Sequence, residues 1–223
     1  MQTDPSSSGY GQVGSVAALW RYPVKSMMGE ELDSSDITDR GLFGDRQFAV
    51  VDRVTGKIGG AKNPRSGDKS QGATAEEYWP DLAGLDYRDT VTDFEMPAGT
   101  FFDIAVVHLL TTATIDRLRA LYPQGRFEAR RFRPNIVIST AAEGQGFAEN
   151  DWVGHTLTIG SHVRLAMTKP CPRCVMITLP QGDLPKDSGI LRTTAQHNRV
   201  NAGVYAWVIS GGTIRRGDTV SLA

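Results

Sequence analysis

The segment "KPCPRC" (169–174) holds both cysteines of the 223-residue chain, with Lys169 before the pair and Arg173 inside it. Such a pair offers four kinds of chemistry. It can cycle between dithiol and disulfide, or supply half of a zinc site. One thiolate can ligate a soft or redox-active metal whose other ligands come from a cofactor, or both thiols can be inert small hydrophobes. A thioredoxin-like pair opens a helix in a βαβ unit. Here Pro170 and Pro172 follow a strand, and "VMITLP" after the pair reads as extended. A structural zinc needs four ligands. The chain has no second CxxC, and His108, His155, His162 and His197 are scattered without HxxxH spacing. A zinc shared between two copies stays open. Arg173 next to Cys174 would favour a thiolate there. The clustering of the only two cysteines among basic residues counts against the inert reading. Cys171, as a second thiol, could pair with Cys174 on oxidation.

Other basic residues stand beside Gly, Pro or polar neighbours: "YPVKSM" (Lys25, Ser26), "GDRQF" (Arg46), "GGAKNPR" (Lys62, Arg65) and "RRFRPN" (Arg130, Arg131, Arg133, Asn135). Each falls at a strand end or in a loop, where a rigid β scaffold usually carries its sites. Several cations at one mouth would suit a phosphate or another anion. Read as a strand, "RFRPN" puts Arg131 and Arg133 on one face, with Asn135 continuing it. Asp45 is placed to orient Arg46. "FAENDW" (147–152) reads as a turn plugged by Trp152 rather than as an acid–base pair. Trp20 and Trp207 read as core, and His197 as a helix-end or loop hydrogen-bonding group.

The elements that must position these residues are mostly strands. "VGSVAALW" (13–20), "ELDSSDIT" (31–38), "RQFAVVD" (46–52) and "FFDIAVVHLLT" (101–111) have strand character, with a short strand after the turn in "RVTGKIGG" (53–60). So do "PNIVIST" (134–140), "HTLTIGS" (155–161), "HVRLAMT" (162–168), "GVYAWVIS" (203–210) and "DTVSLA" (218–223). Residues 61–73 read as loop, and 74–85 as one or two helical turns. In 111–123, Ile115, Leu118, Leu121 and Tyr122 recur at helical spacing, with Thr112 or Thr114 as cap and Pro123 as stop. A second helical stretch falls at 192–198. Short, numerous, Gly-punctuated strands with few helices predict a mainly β, barrel-like core.

Composition excludes whole classes. A 40% hydrophobic chain of this length can bury a core without disulfides. A net charge of −1 gives no support to a nucleic-acid-binding surface. No apolar run approaches a membrane span. "MQTDPSSSGYGQ" has neither a basic n-region nor an apolar h-region, so it reads as a disordered lead-in. Two cysteines are too few for a secreted disulfide scaffold, which places the chain in a reducing cytoplasm.

The order and spacing of "LWRYPVKSMMGEEL", "GLFGDRQFAVVD", "RFRPNIVI", "FAENDW", "TLTIGSHVRLAMTKPCPRC" and "GVYAWVISGGTIRRGDTV" resemble the MOSC-domain proteins, over roughly residues 13 to 223. That family is named for the C-terminal domain of molybdenum-cofactor sulfurases. The resemblance implies a lead-in (1–12), a smaller β-rich N-terminal part (13–100) and a MOSC β-barrel core (101–223). The amidoxime-reducing relatives bind a pterin-dithiolene (molybdopterin) molybdenum cofactor and reduce N-hydroxylated compounds. By this resemblance, Cys174 matches the metal-ligating cysteine and Arg173 the residue inside its motif. Lys25 and Ser26 match the cofactor-anchoring pair, and Arg46 the basic residue on the next strand. Arg133 and Asn135 match the "RPN" pair, and Thr111 and Thr112 fall where a Thr-Ser segment precedes the family's helix. Phosphate suits lysine and arginine, and an amide that donates and accepts suits a pterin edge.

The relatives follow the cysteine motif with a short Asp-Pro-Asp-Thr-Gly-like turn. Here "TLPQGDLPKDSGILRTTAQHN" stands instead, so the substrate does not carry over. No cysteines are left for an iron–sulfur cluster, which implies a separate electron-donating reductase and a small-molecule substrate. Two alternatives stand beside the enzyme: a sulfur or cofactor carrier using Cys174 without turnover, and a barrel that binds no metal.

Overall fold

The computed structural model describes residues 11–51, 97–140 and 146–223. β1 (Gly11–Arg21) buries Val16 and Leu19 and pairs antiparallel with β6 (Ile136–Thr140) on one side. On its other side lie β11 (Thr219–Leu222) and, further along, β2 (Glu30–Leu32). From β6 the sheet continues through β5 (Val107–Thr111), β9 (Asn201–Ser210), β8 (Val163–Pro172) and β7 (Thr156–Ile159) back to β11. The β11–β1 pairing closes these seven strands into a barrel. β3 (Ser34–Thr38), β4 (Gly41–Leu42) and β10 (Gly212–Arg215) form a separate three-stranded sheet. The mainly β barrel expected from the sequence is therefore present, with a β-rich N-terminal region. β1, from that region, is itself a barrel stave.

β5 and β6 are the parallel neighbours, and a parallel pair needs a long crossover. The crossover holds α1 (Thr112–Leu121) and the short α2 (Ala129–Phe132). Both strands are buried on both faces, and the pleat divides their residues between two cores. Leu109, Ile136 and Ile138 point into the barrel. Leu110 and Val137 point outward, beneath α1, α2 and α3 (Gly189–Asn198), with Leu118, Phe132 and Ile190. Among the described residues no helix is long and apolar enough to cross a membrane.

Several expectations are corrected. "RQFAVVD" is not a buried strand. Phe48 makes only an isolated bridge to Val24, and Phe48, Val50 and Val51 are exposed. The reason is the turn before it, where Gly44 and Arg46 both take positive φ. "RFRPN" is not a strand either: α2 ends at Arg133 in the left-handed region, so Arg131 and Arg133 diverge. "VMIT" after the cysteines coils into a 3-10 turn (Val175–Thr178). β8 runs through both prolines to Pro172, which register shifts at Met167/Lys169 and Pro170/Pro172 accommodate. Thr111, not Thr112 or Thr114, caps α1, its Oγ1 accepting from the Thr114 N–H at 3.1 Å. The 31–38 stretch is divided at Asp33, and β10 was not anticipated. Gly11 and Gln12 belong to β1 rather than to a lead-in. Trp207 is 41% exposed, because β9 turns Ala206 inward and Trp207 outward; Trp20 is half-buried. The readings at 53–60, 61–73 and 74–85, with Lys62 and Arg65, lie outside the described residues.

Candidate functional site

Three chain segments meet around one aromatic ring. The turn after β4 delivers Asp45 and Arg46, the loop after β1 delivers Tyr22 to Met28, and the end of α2 delivers Arg133 to Asn135. Asp45 is buried and ties them together. Its carboxylate accepts from the Tyr22 N–H at 2.6 Å, from Asn135 Nδ2 at 2.8 Å and from the Arg46 guanidinium. The Arg46 N–H donates to the Tyr22 carbonyl at 2.9 Å, closing the turn from the other side. Above the Tyr22 ring lie two guanidinium groups, Arg46 at 4.6 Å and Arg133 at 4.3 Å from its centroid.

The two cations differ in compensation. Arg46 has Asp45. Arg133 is 9% exposed and has no carboxylate among the described residues; its Nη1 donates to the Met27 carbonyl. Burial, with Arg46 and Arg173 nearby, lowers its pKa to about 10, so it stays charged at neutral pH. Ser26, Arg46 and Arg133 all hold positive φ (63°, 49° and 56°). Such φ values cost a non-glycine residue energy and persist where the surroundings impose them, often at sites.

The cysteines part company. Cys171 is fully buried and accepts from Arg173 Nη1 at 2.6 Å, while Arg173 Nη2 donates to the Phe132 carbonyl at 2.7 Å. Burial pushes the Cys171 thiol up, against the pull of Arg173. Arg173 therefore hydrogen-bonds Cys171 rather than Cys174, while its charge acts on both sulfurs. Residues i and i+2 share a face of an extended chain, and 171 and 173 are such a pair. Cys174 is half-buried at the start of the 3-10 turn. No three His, Cys, Asp or Glu side chains gather as a metal group among the described residues. From these residues a metal at Cys174 would draw a single ligand.

Two buried polar atoms of this region have no hydrogen-bond partner among the described residues: Tyr22 Oη and Arg173 Nε. Tyr22 was not anticipated, and nothing in "RYPVKS" marks it; its place under two arginines exists only in the fold. His108 was also not anticipated as part of this region. Its ring nitrogens lie 3.0 Å from the Ala202 carbonyl and 3.4 Å from that of Arg133. Burial, then Arg173, lowers its pKa to about 3, so the ring is neutral.

The remaining expected residues have other partners. Lys25 Nζ donates to the Phe101 carbonyl at 3.1 Å and pairs with Asp103. Asn135 spends its amide on Asp45, the Trp20 carbonyl and the His108 N–H, so it braces Arg46 from behind. Thr111 is taken up by capping α1 and by donating to buried Glu149 at 2.5 Å; Thr112 opens the helix. Glu149 also accepts from Thr114 and from the Gly203 N–H, and with Trp152 it makes 147–152 a structural turn. Asp45 orients Arg46 as expected, and His197 is exposed in the last turn of α3. A cleft of about 690 Å³ opens between 23–30 and 176–182. Met27, Met28, Met176 and Leu179 form much of its wall, with Ser26 and Arg133 among its polar lining.

The profile of the family described as the MOSC domain matches residues 98–221, and that of the MOSC N-terminal beta barrel domain matches 13–65. The fold is similar to that of the YuaD protein from Bacillus subtilis (TM-score 0.60, 13% identity, covering 96% of this chain and 98% of that one). It is also similar to a crystal structure described as a hypothetical protein (TM-score 0.51, 12% identity, 95% and 68%). At these identities the likeness concerns the fold alone. No curated protein matches the chain.

Proposed function

The chain belongs to the MOSC-domain family, whose role is related to the molybdenum cofactor, and from that premise we propose that it is a molybdenum-cofactor-binding oxidoreductase acting on N-hydroxylated compounds. The observation that carries the reading is Arg133. A guanidinium held almost out of water, beside two more cations and with no carboxylate of its own, calls for an anion. The cofactor's phosphate is an anion of that kind, and the unpartnered Tyr22 Oη and Arg173 Nε offer further donors. The residues present fit the group.

In this reading Arg46 and Arg133 hold the phosphate, with the strained Ser26 backbone beside them. Asn135 and Asp45 act behind Arg46, fixing its direction. Arg173 holds Cys171 aside, so that Cys174 alone offers a thiolate to molybdenum. Lys25, Thr111 and Thr112 are assigned to the cofactor by family resemblance, and Lys25 would have to exchange Asp103 for it. When bound, the cofactor supplies a metal centre able to accept an oxygen atom. The net change is R–NH–OH + 2 e⁻ + 2 H⁺ → R–NH₂ + H₂O, with electrons from a separate reductase. The chain's own part is orientation, charge and exclusion of water.

Metal and pterin content tests this. Protein made in a host that synthesises the cofactor and purified without oxygen should carry close to one molybdenum per chain, falling at least tenfold in Cys174→Ala. It should also reduce N-hydroxy compounds with a chemical electron donor. Molybdenum absent from both proteins, with the fold intact, would sink the reading. Molybdenum bound without any turnover would instead favour a carrier.

A further inference from the structure

We infer that Tyr22 is a ligand-binding residue: its phenol donates to a phosphomonoester held by Arg46 and Arg133, while its ring keeps the two guanidinium groups in place. The inference deepens the cofactor reading and rests on it for the identity of the whole ligand, though not for the anion.

The argument is one of donors without acceptors. Tyr22 is 1% exposed, and its Oη has no hydrogen-bond partner among the described residues. A buried hydroxyl without a partner costs free energy that a folded chain normally avoids. Arg173 Nε is in the same condition. Arg133 spends one N–H on the Met27 carbonyl, and its other N–H groups have no acceptor among the described residues. The local surplus is therefore of N–H and O–H groups. Among the described residues, Asp45 is already taken by the Tyr22 N–H, Asn135 and Arg46, and Glu30, which lines the cleft, is paired with Arg21. A group with several acceptor oxygens and negative charge complements such a set, and a phosphomonoester dianion has three.

The ring is held as firmly as a ligand-binding group requires. Its backbone N–H is bonded to Asp45 and its carbonyl to the Arg46 N–H. Gly29 packs against its edge so closely that a Cβ there would lie 2.4 Å from two ring carbons. Arg133 both lines the cleft and lies over the ring, so it connects the open surface with the buried phenol. On anion entry Arg133 would exchange its Met27 contact for one to phosphate, drawing the anion toward the ring it covers.

The test uses the full chain, with inorganic phosphate as probe, followed by calorimetric titration at low ionic strength. Tyr22→Phe removes one oxygen and keeps the ring and its cations. It should weaken phosphate binding about tenfold or more, the range for a hydrogen bond to a charged group. Its urea midpoint should stay level or rise, because an unpartnered buried donor is gone. Those opposite movements are what a purely structural tyrosine would not give. Equal phosphate affinity in both proteins, or no phosphate binding by the wild type, overturns the inference. Molybdenum content separates the two readings. Tyr22-dependent phosphate binding by a chain that never takes up molybdenum keeps the anion site and removes the cofactor. Equal molybdenum loading with unchanged phosphate affinity removes Tyr22 and keeps the cofactor.

Discussion

Arg131 and Arg133 stand two residues apart and serve regions of opposite character. Arg131 is fully buried, and its guanidinium donates to the carbonyls of Arg126, Ile177, Leu179 and Pro185, at 3.0 to 3.4 Å. Three of these bonds tie the 177–185 segment to α2, and the fourth ties Arg126 to it. Arg133 is nearly as buried, yet among the described residues its side chain has one carbonyl partner, and its backbone lies in the left-handed region. One region is satisfied by the chain itself. The other is left short of negative charge and acceptors. The difference teaches where to look for function: burial of an arginine says little, whereas burial without a matching set of acceptors points to something that must still arrive.

The largest effect should come from breaking the satisfied side. Arg131→Met should destabilise the fold by about 3 kcal/mol or more, since buried carbonyls lose their donor together. The urea midpoint reads this directly. Breaking the unsatisfied side should do the reverse. Arg133→Gly removes a desolvated charge and relieves a positive φ, against a gain of unfolded-state entropy, so stability should stay within about 1 kcal/mol of wild type. Phosphate and molybdenum binding should nevertheless fall at least tenfold. If Arg133→Gly unfolds the protein while Arg131→Met is tolerated, the contrast between the two regions is wrong.

The contrast also marks what could be read from the sequence. The barrel was legible because strand runs such as "IVI" in β6 are continuously apolar and β-branched, their period of two showing only in which core each residue enters. α1 was legible from Ile115 and Leu118. The alternation Arg131–Phe132–Arg133 looked like the same period, but there a short helix ends in a left-handed residue, and neighbours diverge. The motif residues Arg46, Arg133, Arg173 and Cys174 could be picked out by type and spacing. Their partners could not. Asp45 was anticipated behind Arg46 because it is adjacent in sequence, whereas Asn135 joins it across 90 positions. The charge of Arg173 beside Cys174 could be read from adjacency, whereas its hydrogen bond to Cys171 could not. Tyr22 carried no signal, because an unpartnered hydroxyl is a property of packing.

The smallest expected effect concerns the outer layer of the satisfied region. Arg126 and Arg130 hold Asp183 from outside, at 2.9 and 2.6 Å, beside the segment that Arg131 holds from within. These two arginines depress the Asp183 carboxyl from its usual value of 3.8 to about 2. A carboxyl depressed in the folded state stabilises the fold at pH values above its unfolded pKa. That contribution is lost as pH falls from about 4 toward about 2. Asp183→Asn should therefore flatten the stability profile in that window: the variant is slightly less stable than wild type at neutral pH and level with it near pH 2, and the difference should shrink with added salt because the group is exposed. A loss on Asp183→Asn as large as that of Arg131→Met would mean that the surface ions, not the buried fork, hold the 177–185 segment in place.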